Sequence, residues 1–214
     1  MERLALYYFP GACSQVTLCA LEEAGLEYEL RLVNLAAGEQ NSEAYLKVAP
    51  LGKVPALMID GELLTENTAI LVYIDALRPE ARLLPGDGSP RSRADAIAGL
   101  SFCSGTLHPI VRGILNPQRL TTGDTAPVRE KSVELANKSF GYAERRIAAK
   151  GWWLGQWSIV DVYLQWAFSV ADKGGFDTAP FPTLRALHDR LRERPAFRRM
   201  LEIGDESVAT LKMA

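Results

Sequence analysis

Residues 4–9 form a continuous apolar run, the mark of a short buried strand, and Pro10-Gly11 break it. From Ser14 onward Val16, Cys19, Ala20 and Ala24 recur on one face, which predicts a helix, and Gly25 stands where a left-handed residue would end it. Residues 28–35 alternate, with Tyr28, Leu30 and Leu32 set against Glu29 and Arg31, so a half-buried strand is expected. A small polar loop follows over 36–41, then one or two helical turns over 42–48. Pro55 opens the apolar run Ala56 to Ile59, Asp60-Gly61 is a hairpin turn signal, and residues 62–64 return. A helix then runs through Ile70, Leu71, Ile74 and Leu77, with Thr65 as its expected N-cap.

Residues 78–93 change character, with Pro79, Pro85, Gly86, Asp87, Gly88, Ser89 and Pro90 close together. Strand signals are scarce beyond this point. Val133, Ala136, Phe140, Ala143 and Ile147 are spaced three and four apart and predict a long amphipathic helix. Ser158 and Asp161 have the spacing of a capping box, with Trp157 and Val162 at the staple positions, ahead of a helix through Trp166 and Val170. Two more helices are expected over 182–191 and 195–208. Arg190, Arg192, Arg194, Arg198 and Arg199 read as a solvated face. The expected organisation is an α/β domain over 1–78, a linker over 79–90 and an all-helical domain over 91–214.

Composition narrows the functional classes. The chain has 214 residues, 48% apolar and 23% charged, which is enough for real cores and ordinary for a globular protein. A net charge of −2 gives no electrostatic case for nucleic acid or an anionic membrane. No apolar run has the length of a membrane span, and the N-terminus lacks the pattern of a signal peptide. Three cysteines, Cys13, Cys19 and Cys103, suit a reducing cytoplasm better than a disulfide framework. Two histidines and scattered cysteines offer no metal-ligand spacing, so no metal is expected.

The candidate chemistry lies at Cys13. A thiol just ahead of a helix N-terminus faces unpaired backbone N–H groups and the positive end of the helix dipole, and both favour the thiolate. The plainer alternative is a small turn residue. Strand, proline-containing turn, cysteine and helix open a thioredoxin-like unit, but a Cys-x-x-Cys pair is missing. A single cysteine points to mixed-disulfide or thiol-stabilising chemistry with a small thiol. Further along, a proline at Pro55 cannot donate to a strand ladder, which leaves the Val54 backbone able to pair with an extended peptide-like ligand. Glu66, Asn67 and the first N–H groups of the following helix form a polar cup suited to an α-amino-acid head group, although Glu is also common in a first helical turn.

Tyr7-Tyr8-Phe9-Pro10-Gly11-Ala12-Cys13-Ser14 resembles the start of a bacterial, beta-class-like cytosolic glutathione transferase. Val54-Pro55, Glu66-Asn67 and the Ser158-x-x-Asp161 box follow in the family's order, so the resemblance spans essentially the whole chain. It implies the glutathione transferase fold, a thioredoxin-like α/β domain followed by an all-α domain. It also implies glutathione as co-substrate, a homodimer and a cis Val54-Pro55 bond, with the valine backbone pairing with the cysteinyl part of glutathione. The function implied is conjugation to electrophiles, or thiol transfer and reduction.

Cys13, Tyr8 and Ser14 are the groups that can face the glutathione sulfur, and the context Pro-Gly-Ala-Cys-Ser favours Cys13. Tyr8 has the alternative of a core aromatic and Ser14 that of a helix cap. Glu66 and Asn67 stand where the family usually has Glu-Ser and would hold the γ-glutamyl end. Lys53 is the nearest base for the glycine carboxylate, because the loop over 36–40 holds no basic residue. His108 matches a histidine that faces the cysteine in this group, and Ser101 stands in for a polar contact from the second domain; a lone packed histidine is the plainer reading of His108. The electrophile site is expected between the domains, near residues 107–115 and Phe9. Two other readings remain open. One is a specialised dehalogenase, aryl-ether-cleaving enzyme or maleylacetoacetate-type isomerase. Against the isomerase, that group usually shows Ser-Ser-Cys-Ser followed shortly by Arg, where this chain has Gly11-Ala12-Cys13-Ser14 and then Gln15-Val16-Thr17. The other is a non-catalytic stress-response module on the same fold.

Overall fold

The computed structural model describes residues 2–213 and divides into two compact units. The first joins residues 1–83 to residues 193–214, and the second spans 84–192.

In the first unit the chain runs β1 (Leu4–Tyr8), α1 (Ser14–Glu23), β2 (Tyr28–Leu32), α2 (Glu43–Val48), β3 (Ala56–Ile59), β4 (Glu62–Thr65) and α3 (Asn67–Leu77). The sheet has the order β2-β1-β3-β4, with β1 parallel to β2 and antiparallel to β3, and β3 antiparallel to β4. This is the thioredoxin-like arrangement the pattern implied. β1 is buried almost throughout because it is a central strand covered on both faces, whereas β2, at the sheet edge, alternates half-buried and exposed positions. On one face Tyr7 and Ala56, directly opposite in register, pack with Val33, Tyr45 and Ala49. The opposite face carries Leu6 and Tyr8.

Two turns are set by residues that tolerate positive φ. Gly25, at φ 59°, ends α1 in a full Schellman motif: its N–H bonds Glu22 C=O at 3.2 Å and the Leu26 N–H bonds Leu21 C=O at 3.1 Å. Asp60 and Gly61, at φ 51° and 95°, make the hairpin between β3 and β4. Thr65 does not cap α3. It ends β4, and Glu66 occupies the cap position with φ 67° and ψ 115° and no side-chain cap bond.

The second unit holds α4 (Pro90–Ser101), α5 (His108–Leu115), α6 (Ala126–Lys150), α7 (Ile159–Lys173) and α8 (Pro182–Arg192). Ser89 caps α4, its hydroxyl accepting from the Ser92 N–H at 3.1 Å. A π-helical turn over Phe102–Leu107 separates α4 from α5, so His108 opens a helix of its own instead of continuing the first one. The apolar stripe of α6 is buried at Ala136, Phe140, Ala143 and Ile147.

The capping box at α7 is built as the spacing predicted. Asp161 accepts from the Ser158 N–H at 2.9 Å, the Ser158 hydroxyl at 2.8 Å and the Trp153 N–H at 2.8 Å. Burial pushes its carboxyl up to about 6 against the lowering effect of those bonds and of Arg190.

Helix α9 (Pro195–Met213), which the pattern placed in the all-helical domain, instead packs on α1 within the first unit. Glu23 in α1 and Arg194 just before α9 form a bidentate ion pair at 2.6 and 2.7 Å, with the Glu23 side chain only 10% exposed. Arg194 is therefore not part of a solvated face. Arg190 is not either: it stacks on Trp152 at 3.8 Å and donates to Gly151 C=O at 2.8 Å.

Candidate active site

The cysteine turn is closed by backbone and side-chain bonds together. Gly11 supplies φ 81°, and the Ala12 N–H bonds back to Phe9 C=O at 3.1 Å. Ser14 accepts from the Phe9 N–H and donates to Phe9 C=O, both at 3.2 Å, and is wholly buried. Its side chain is thus part of the turn, which corrects its expected place facing a ligand sulfur. Cys13 occupies the N-cap position of α1, 6% exposed, and the N–H groups of Gln15 and Val16 bond back to Ala12 and Cys13 at 3.0 Å. Its thiol donates to the Val54 carbonyl at 3.6 Å. The three cysteines are thiols and not disulfides. Cys19 and Cys103 are fully buried, and burial pushes both well above the ordinary range.

Val54 precedes a cis peptide bond to Pro55, as the resemblance implied. Its carbonyl is engaged by Cys13, so it is not wholly available to a ligand, as the strand-edge argument had it. The loop before it is held by Tyr45, whose hydroxyl donates to Lys53 C=O at 2.7 Å and whose ring packs edge-on against Tyr7 at 5.6 Å. The Lys53 side chain is exposed.

Glu66 is also exposed, at its positive φ, immediately before the N-terminus of α3. A non-glycine residue in that region stores strain, which persists only where neighbours hold it. Asn67, 5% exposed, turns inward: its amide N–H donates to Cys13 C=O at 2.9 Å, and its carbonyl accepts from the Thr17 hydroxyl at 2.6 Å. The side chain expected to donate to a ligand carboxylate is thus committed to the cysteine turn.

Tyr8 is fully buried, its hydroxyl beside the Gln15 side chain and away from solvent. A Cβ at Gly204 of α9 would lie 3.5 Å from that oxygen. Burial pushes the phenol well above its ordinary value, so it stays protonated. Tyr8 thus packs as a core aromatic.

Cys13, Val54 and Asn67 are therefore joined by direct bonds, with Glu66 and Lys53 as immediate chain neighbours. Thr17 was not singled out from the sequence. The only signal was a hydroxyl four residues after Cys13, on the apolar side of a helix, and such a group needs a partner when buried.

Ser101 and His108 belong to the second unit. Ser101 is the exposed last residue of α4. His108 is half-buried, its Nε2 accepting from Arg112 Nε at 3.3 Å and its ring edge-on to Trp166 at 4.6 Å. Leu107, Val111 and Ile114 face the core of this unit, so only part of the stretch 107–115 presents a surface. Among the described residues no three His, Cys, Asp or Glu side chains are grouped to hold a metal, and no helix is long and apolar enough to cross a membrane.

Comparison with known proteins bears on the family. The family description "Glutathione S-transferase, N-terminal domain" matches residues 2–76. A maleylacetoacetate isomerase of Pseudomonas aeruginosa is 33% identical over 196 residues, covering 89% of this chain and 92% of the relative. Glutathione S-transferase GstA of Escherichia coli O157:H7 is 31% identical over 199 residues, covering 90% and 94%. The crystal structure of a glutathione transferase homologue from Sulfitobacter, with bound glutathione, superposes with a TM-score of 0.86 at 28% identity, covering 95% of this chain and 99% of that one. The chain belongs to the glutathione S-transferase family and is an enzyme of the glutathione transferase type.

Proposed function

We propose that the transferase is of the cysteine type, as in the bacterial beta class, with Cys13 working at the sulfur of glutathione. One observation carries this reading: the Cys13 thiol already bonds the carbonyl of Val54, the residue whose backbone is expected to pair with the cysteinyl part of glutathione. A peptide bound along Val54 would bring its own sulfur to Cys13. Glu66, exposed at the start of α3, holds the γ-glutamyl ammonium, and the first backbone N–H groups of α3 receive its carboxylate. Lys53 reaches the glycine carboxylate. His108 moves a proton or stabilises a thiolate, and Ser101 adds a polar contact. A homodimer in the cytoplasm goes with this reading.

Two reactions are open to such a site. In thiol transfer, the Cys13 thiolate attacks one sulfur of glutathione disulfide. The Cys13–glutathione disulfide forms, the old sulfur–sulfur bond breaks, and a glutathione thiolate leaves. In conjugation, glutathione itself attacks the electrophile and Cys13 donates a hydrogen bond to its thiolate. The test is intact mass after incubation with glutathione disulfide, for wild type and Cys13→Ala. One glutathione on the wild type and none on the variant supports the cysteine type. Equal labelling of both, or none on either, removes Cys13 from this role.

A second reading is glutathione-dependent isomerisation, favoured by the identity to the Pseudomonas aeruginosa isomerase over most of both chains. Against it, Gln15-Val16-Thr17 replaces the arginine-containing continuation expected of that group. Turnover of maleylacetoacetate that requires glutathione would establish it.

A further inference from the structure

We propose that Asn67 and Thr17 form a buried clamp that positions Cys13. In this view the Asn67 side chain ties the start of α3 to the cysteine turn and does not take a ligand. This deepens, and rests on, the reading of Cys13 and Glu66 as parts of the glutathione site.

A threonine hydroxyl inside a helix has a partner close at hand. It ordinarily bonds back to the carbonyl one turn earlier, and for Thr17 that carbonyl belongs to Cys13. Here it does not. The hydroxyl is turned to the Asn67 carbonyl at 2.6 Å, and the Asn67 N–H takes the Cys13 carbonyl at 2.9 Å. Asn67 is thus inserted into a bond that α1 could have closed by itself. Thr17 is wholly buried and Asn67 nearly so, so both bonds are made away from water, where a lost partner is costly. The insertion links residues 50 and 54 positions apart in sequence.

The clamp acts on both sides of the site. On one side it fixes the backbone of Cys13, whose carbonyl also receives the Val16 N–H and whose thiol reaches Val54. On the other side it fixes the residue after Glu66, which holds the positive φ of that exposed carboxylate in place. Thiol and head-group contact are thereby kept in register.

Four proteins test this: wild type, Asn67→Ala, Thr17→Val and Thr17→Ser. Two rates are measured by mass mapping, Cys13 alkylation by iodoacetamide and Cys13 adduct formation with glutathione disulfide. Cys19 and Cys103 serve as internal reporters of general unfolding. Loss of the clamp loosens the turn. Asn67→Ala and Thr17→Val should therefore alkylate Cys13 several-fold faster but form the glutathione adduct roughly tenfold slower, the effect of one lost buried hydrogen bond. Cys19 and Cys103 stay unlabelled, and Thr17→Ser, which keeps the hydroxyl, follows wild type.

Three results overturn the clamp. In the first, Thr17→Val follows wild type, or Thr17→Ser behaves like Asn67→Ala, which makes the methyl group the working part. In the second, Asn67→Ala slows the adduct but leaves alkylation unchanged, which makes Asn67 a direct ligand contact. In the third, all three cysteines label together, which makes the effect general unfolding. A wild type that takes no glutathione while the alkylation pattern holds refutes the proposed function and leaves the clamp standing.

Discussion

Tyr8 illustrates how far a side chain's role depends on which way it faces. Its hydroxyl is buried against α9 and beside the Gln15 side chain. Tyr8→Phe removes that hydroxyl, trading its desolvation against the Gln15 contact. Stability to urea should stay within about 1 kcal/mol of wild type, and adduct formation with glutathione disulfide should stay within about twofold. A large loss of adduct would return Tyr8 to the site. Ser14 is the parallel case: its hydroxyl is consumed twice over by the backbone of Phe9. With these two hydroxyls turned elsewhere, Cys13 is the group proposed to act.

At the scale of elements, the second unit depends on helix ends that are closed by carboxylates, one distant and one local. Glu144 of α6 receives the N–H groups of Thr183 and Leu184 at 2.8 and 2.9 Å, and so caps α8 from another helix. Asp161 closes α7, and its burial makes this box sensitive to pH. An unfolded aspartate titrates near 3.8, and the folded one near 6. Between those values the folded chain keeps a proton that the unfolded chain has released. The contribution of Asp161 to stability is therefore greatest below about pH 4 and is lost as the pH rises through about 6. It amounts to on the order of 3 kcal/mol across the window. Asp161→Asn should remove that slope and lower stability throughout, because its amide presents N–H groups where backbone N–H groups already point. Urea unfolding of both proteins at pH 4, 5, 6 and 7 checks this. Parallel curves for the two would show that Asp161 does not titrate there.

For the whole molecule, the consequence is that the first unit is discontinuous in sequence. Residues 193–214 return to it, and the Glu23–Arg194 ion pair fixes the point of return. A chain ending at residue 192 should therefore lose the cover over α1 while the second unit keeps its core. Cys19 should become open to alkylation at neutral pH and Cys103 should stay protected, as read by mass mapping. Protection of both would mean that α9 is dispensable to the first unit.

The sequence by itself determined the elements of the first unit and the later helices of the second, though not α4, α5 or the π-helical turn between them. Strand alternation, the Asp60-Gly61 turn, the Schellman glycine and the stripe of α6 are local patterns, set by side-chain period and backbone preference within a few residues. It also determined the candidate chemistry, since the Cys13 turn, Val54-Pro55 and Glu66 are short motifs with a physical use. What it left undecided was every choice between partners distant in the chain. Whether Asn67 faces a ligand or Cys13, whether Tyr8 faces a sulfur or α9, whether Arg194 is solvated or paired, and which unit claims α9 are decided by packing. Burial removes water as the competing partner, so a polar group must take whatever the fold sets beside it, and that neighbour lies 50 to 171 positions away for Thr17 and Glu23.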